Sequence, residues 1–139
     1  MVETVITDER MRRAAEGLRS LAFSRLIGME LTELAHGKAV ITVGMRDELS
    51  RPGGILHGGV TATVIDTAMA FAVRTLLDES AETATIDLTV HYLRPHSVGD
   101  IICTARVVRA GKRIFTVEAD VANEDGKLIA TGLSTYTRI

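Results

Sequence analysis

The chain is poor in aromatic side chains and in cysteine, with three Phe, two Tyr, no Trp and one Cys in 139 residues. So few aromatics leave no stacking platform for nucleic-acid bases, and a net charge of −2 gives no overall attraction to phosphate backbones. Cys103 has no partner for an internal disulfide and cannot build a Cys-rich zinc site, so a reducing compartment is expected. The opening stretch, MVETVITDERMRRAAEGL, contains no continuous apolar core, which argues against a secretory signal. Glu3, Asp8, Glu9 and Glu16 argue against a transit peptide. The apolar run from Val60 to Val73 is shorter than the about 20 residues a membrane span needs and is rich in Ala and Thr. No glycine cluster is followed by Lys-Ser or Lys-Thr, which excludes a P-loop. These absences lead to the expectation of a cytoplasmic protein, a single domain over residues 1 to 139, with neither nucleic-acid nor membrane partners.

What is present is periodic. Met11, Ala14, Ala15, Leu18, Leu21 and Ala22 recur at helical spacing behind Thr7, a suitable N-cap. An amphipathic helix over residues 8 to 22 is predicted, within an N-terminal helical segment of residues 1 to 25. His36-Gly37-Lys38 reads as a hairpin turn between two strands, the second from Ala39 to Met45. RDELSRPGG is polar and interrupted by Pro and Gly, hence a loop. Residues 57 to 77 are Ala-rich and too long for a strand. They predict a central helix, apolar all round and so buried all round. In so short a chain, a curved sheet is the natural wrapping. The rest reads as four strands: Ala84 to Leu93, Ile101 to Ala110, Arg113 to Ala122 and Leu128 to Thr137. In the third, Phe115, Val117, Ala119 and Val121 alternate with Thr116, Glu118 and Asp120. The fold class is α+β: an antiparallel sheet around one long helix, with an additional N-terminal helix.

Asp66 is the one ionisable group in the central apolar run. An aspartate is seldom buried unpaired, because desolvating the charge costs several kcal/mol. It is either satisfied by structural hydrogen bonds or retained for function. Gly58 and Gly59 stand where that helix begins. The first N–H groups of a helix lack internal partners and carry the positive end of its dipole. Glycine permits close approach, so Gly58 N–H suits polarisation of a carbonyl oxygen; the alternative is two turn residues. His57 is either loop surface or a hydrogen-bond donor that fixes the loop, and no paired ligand spacing accompanies it to suggest a metal. Nine residues separate His57 from Asp66. At helical rise that is about 12–13 Å, too far for one chain to place both on one substrate atom. Two antiparallel copies of the helix bring them together, which predicts a twofold dimer with composite sites.

GGILHGGVTATVIDTA, TATIDLTVHYLRP, GKRIF and DGKLIATG together resemble the hotdog-fold acyl-CoA thioesterases of the PaaI type, from about Leu26 to Tyr136. The resemblance implies hydrolysis of an acyl-CoA to carboxylate and CoA. It assigns carbonyl polarisation to Gly58 N–H and activation of water, or direct attack, to Asp66 of the partner subunit. It assigns water-holding to Thr85 and support of the loop and thioester to His57. Where the family often carries Asn, this chain has Arg51. Arg51, Gly59, Arg94, Lys112 and Arg113 are the expected substrate contacts, the cations for the phosphates of CoA. The acyl pocket is expected at the first helix and the segment around Leu26 to Met29. No cofactor or metal is implied, CoA being part of the substrate. A homodimer, and further a homotetramer, is expected. An acyl-thioester dehydratase or hydratase and a non-catalytic acyl-CoA-binding protein are the alternatives.

Overall fold

A computed structural model describes residues 5–139. Helix α1 runs Asp8–Ser20, with Thr7 accepting a hydrogen bond from Arg10 N–H as the sequence predicts. It stops short of residue 22 because Leu21 is extended, and a second helix, α2, follows at Ala22–Ile27. Leu21 and Ala22, predicted for the buried stripe, are therefore exposed, while Leu18 is buried. Gly28 ends α2 in the left-handed region, at φ 84°, where glycine is favoured. The Arg46 guanidinium donates to the Leu26 and Ile27 carbonyls at that helix end.

Strands β1 (Glu30–Ala35) and β2 (Lys38–Gly44) form the predicted hairpin around His36-Gly37. The loop after them is more structured than expected. A 3-10 turn at Asp47–Leu49 leads into a small hairpin of β3 (Ser50–Arg51) and β4 (Ile55–Leu56). The central helix, α3, spans Gly58–Arg74, with His57 as N-cap and Thr75 as C-cap. Strands β5 (Thr83–Tyr92), β6 (Asp100–Ala110), β7 (Ile114–Asn123) and β8 (Leu128–Arg138) complete the chain.

Six strands form one antiparallel sheet in the order β1-β2-β6-β7-β8-β5. α3 lies against one face of it. Val64, Ile65, Ala68, Met69, Ala72 and Val73 of the helix meet the inward residues of β2, β6 and β7, among them Ile41, Cys103, Phe115 and Val117. The β7 alternation is as read: Phe115, Val117, Ala119 and Val121 are buried. At Gly132 the sheet backbone is close to the helix: a Cβ there would sit 3.0 Å from the Ile65 Cγ2 methyl. Among the described residues, no helix is long and apolar enough to cross a membrane.

Two edges of this sheet differ. α1 packs against β1, whereas among the described residues β5 has no strand beyond it, and Ile86, Tyr92 and Leu93 stand half exposed there. The expectation of a helix buried on every side also fails within one chain. Gly59 is exposed, and Ala62, Thr63, Asp66, Thr67 and Ala70 are only half-buried. They form a stripe of small and polar side chains at helical spacing that no element among the described residues covers.

Candidate active site

Asp66 sits on the uncovered stripe of α3, two turns from the start of the helix. Its Oδ1 receives two hydroxyls, Thr85 Oγ1 at 2.7 Å and Tyr136 Oη at shorter range. Tyr136 Oη also lies 2.5 Å from the Asp66 carbonyl oxygen. Oδ2 has no partner among the described residues and is not enclosed. The carboxylate is thus held by one oxygen and presented by the other. Each hydrogen bond to a charged acceptor contributes about 1.5–3 kcal/mol, enough to fix the orientation of a half-buried side chain.

Thr85 reaches Asp66 because β5 is bulged. Leu88, Val90 and Tyr92 pair with Ser134, Gly132 and Ala130, the helix-facing residues of β8. Strict alternation would continue that inward face to Ile86 and Ala84 and turn Thr85 away. Instead the register shifts between Thr85 and Asp87, leaving Ile86 unpaired and setting Thr85 opposite Tyr136.

Tyr136 was not among the residues singled out in the sequence. It is 1% exposed, and burial first, then the Asp66 carboxylate, hold its phenol well above the usual tyrosine range. It remains a hydroxyl donor. The available signal was face parity: Ala130, Gly132, Ser134 and Tyr136 all point inward, and a buried tyrosine hydroxyl needs a partner.

The start of α3 is equally built. His57 Nδ1 accepts a hydrogen bond from Gly59 N–H at 2.8 Å, so His57 caps the helix and its proton resides on Nε2. Gly59 N–H is thereby taken, whereas Gly58 N–H has no partner among the described residues. The Gly58 carbonyl accepts from Tyr92 Oη at 2.6 Å, and the Tyr92 ring fills the space beside Gly58. Any Cβ at position 58 would come within 3.2 Å of that ring.

A cleft of about 310 Å³ opens here, lined by Arg51, Gly58, Tyr92 and Arg94 among others. Arg51 and Arg94 are exposed, donating to the Pro52 and Leu128 carbonyls respectively. Lys112 and Arg113 do not join them within the chain. Tyr92 pairs with Ala130 and Ile114 with Thr137, so the two cationic pairs lie at opposite ends of β8, about 24 Å apart at strand rise. A larger cavity, about 500 Å³, lies between α1 and the end of α3, lined by Ala14, Leu18, Leu21, Leu34 and Phe71. It borders the first helix, but residues 26 to 29 do not line it, and neither do Gly58 and Asp66. Ile27 and Met29 are packed into the core instead.

The profile of the Thioesterase superfamily matches residues 53–130, which hold Gly58, Asp66, Thr85 and Arg94. The human protein named acyl-coenzyme A thioesterase 13 is 34% identical over 116 residues, 81% of this chain and 82% of that protein. A conserved protein of Pseudomonas aeruginosa of known structure is 31% identical. It superposes with a TM-score of 0.85 over 90% of this chain and 99% of its own. The PaaI protein of the E. coli phenylacetic acid degradation operon shares the fold, with a TM-score of 0.84 at 23% identity over 92% of this chain and 91% of its own. Open sheet, single embedded helix, profile and relatives agree: the chain belongs to the thioesterase superfamily, as a hotdog-fold thioester hydrolase.

Proposed function

We propose that the protein hydrolyses acyl-CoA thioesters at sites shared by two copies of the chain. The observation that carries this reading is the pairing of a carboxylate held by one oxygen on the uncovered stripe of α3 with an N–H at the start of the same helix that has no partner among the described residues. The two are eight residues apart, about 12 Å along the helix, so they meet on one thioester only when two helices run antiparallel across a twofold axis.

The thioester carbonyl oxygen docks on Gly58 N–H, at the positive end of the helix dipole, where negative charge develops. Oδ2 of Asp66 of the partner subunit takes a proton from water as its oxygen attacks the carbonyl carbon, or itself attacks and is then released by water. In both routes the C–S bond breaks, the thiolate leaves, and the acyl group ends as carboxylate. A thiol ionises near pKa ~8.5, so the leaving group needs no strong general acid. Thr85 holds Asp66 and the attacking water, and His57 maintains the loop. Arg51 and Arg94 meet the phosphates of CoA beside Gly58, with Gly59 at the same helix start. The antiparallel arrangement carries Lys112 and Arg113 of the partner subunit toward that cleft, since they lie at the Asp66 end of the sheet. The active form is a homodimer, assembling further to a homotetramer, in the cytoplasm and without cofactor or metal.

The test is a panel of acyl-CoAs with a chromogenic thiol reagent, wild type beside Asp66→Asn and Asp66→Ala, with mass measured in solution. Free thiol from the wild type and at least about 100-fold less from either variant is expected, consistent with losing a base or nucleophile. Unchanged hydrolysis in Asp66→Asn overturns the assignment. Loss of enoyl absorbance without thiol indicates a hydratase, and tight binding without turnover indicates a binding protein.

A further inference from the structure

The chain has two tyrosines, and each donates its hydroxyl to one half of the proposed site. Tyr136, on β8, holds Asp66 at both its carboxylate and its carbonyl. Tyr92, at the end of β5, holds the Gly58 carbonyl and packs its ring against the Gly58 Cα. Neither group is left on α3 to find its own position. A helix carries its first peptides without internal support, and an aspartate on an uncovered stripe has two free torsions.

We infer that Tyr136 and Tyr92 are the two positioning residues of the site, Tyr136 aiming Asp66 Oδ2 and Tyr92 aiming the start of α3 that bears Gly58 N–H. The inference rests on the thioester-hydrolase reading above and adds a division of labour to it. Tyr136 serves the site to which its own chain contributes Asp66. Tyr92 serves the other site, to which its own chain contributes Gly58. The role of Tyr136 is distinct from that of Thr85. Thr85 donates to the carboxylate, whereas the phenol lies against both carboxylate and backbone carbonyl and so ties the side chain to the helix. The role of Tyr92 has a stereochemical counterpart in the residue it touches: a Cβ at position 58 would stand 3.2 Å from the ring, so a side chain there must push the ring aside.

The experiment compares Tyr136→Phe and Tyr92→Phe, singly and co-expressed with different affinity tags. Both keep the ring and remove the hydroxyl. Each homo-oligomer is expected to lose about 10–100-fold in kcat with KM for acyl-CoA changed less than about threefold, the signature of misplacement rather than lost binding. In a one-to-one mixture, a site is intact only when its Gly58 half comes from a Tyr136→Phe chain and its Asp66 half from a Tyr92→Phe chain. Random pairing across a twofold axis makes about one quarter of sites intact, so the mixture recovers to about a quarter of wild-type activity. A merely structural loss gives no such recovery. Full activity in both single variants overturns the inference while leaving the hydrolase reading to Asp66→Asn. Loss of activity in both without recovery on mixing overturns the division of labour. Melting curves identify any variant that fails to fold, and Tyr136→Phe or Tyr92→Phe is then replaced by Tyr136→Leu or Tyr92→Leu in the same mixing assay, with the same two outcomes.

Discussion

Substituting Gly58 by Ala should separate stability from activity. The added methyl stands 3.2 Å from Tyr92 Cζ and 3.3 Å from its Cε1 and Oη. Comfortable carbon contacts begin near about 3.5 Å, so the ring must retreat by a few tenths of an ångström. Tyr92 is 54% exposed and has room to swing outward. The hydrogen bond to the Gly58 carbonyl is then lost, at about 1 kcal/mol. Ala in place of Gly in a helix returns about 0.5–1 kcal/mol, so the two terms nearly cancel. The melting temperature should move by no more than a few degrees. Hydrolysis should not be spared, because the N–H that meets the carbonyl oxygen loses its support. A displacement well under 1 Å at a reacting group lowers turnover by about 10–100-fold. Thiol release against acyl-CoA and thermal melting by circular dichroism measure the two quantities on one preparation. In a Tyr92→Ala background the clash is absent, and the added cost of Gly58→Ala should shrink, as coupled neighbours require. Wild-type turnover in Gly58→Ala, or an equal cost with and without the Tyr92 ring, would refute the reasoning.

Burial, with Asp120 nearby, pushes the Cys103 thiol up to about 12, so a disulfide reagent should release nothing from the native protein at pH 8 and one equivalent per chain in denaturant. Gly132→Ala brings a methyl to 3.0 Å from Ile65 and should lower stability by about 1–3 kcal/mol in chemical denaturation. Thr7→Ala removes the α1 cap and should cost about 1 kcal/mol on the same measurement, with kcat unchanged. Arg94→Ala should raise KM for acyl-CoA several-fold, more at low than at high ionic strength, while an acyl-pantetheine lacking the nucleotide is unaffected.

Much of this architecture is readable before any coordinates. β7 is buried on one face, so its period of two survives in the residues themselves, and Thr7 announces α1 by its chemistry. α3 is legible because an Ala-rich run of its length has no other secondary structure open to it. The break at Leu21 is not legible. Leucine favours helix, and only the need to turn α2 toward Met29 and the sheet stops α1 there. The inward aim of Thr85 comes from the bulge at Ile86, a register shift set by pairing with β8, and resemblance alone pointed to it. Tyr136 was hidden for a related reason. Its strand was recognisable, but which of its faces met the helix depended on partners far away in the chain. Lys112 and Arg113 looked equivalent to Arg94 as cations after strands, and only the register puts them at the other end of the sheet.

The cap at the start of α3 has a bearing on how His57 is to be probed. The lone pair on Nδ1 that receives Gly59 N–H is the same feature that initiates the helix. Truncation to alanine therefore conflates two losses, the proposed contact to the thioester and the winding of the first turn. His57→Asn keeps an oxygen where the ring nitrogen accepts, and asparagine is among the best helix initiators. Any deficit that survives in that variant belongs to the imidazole Nε2–H itself.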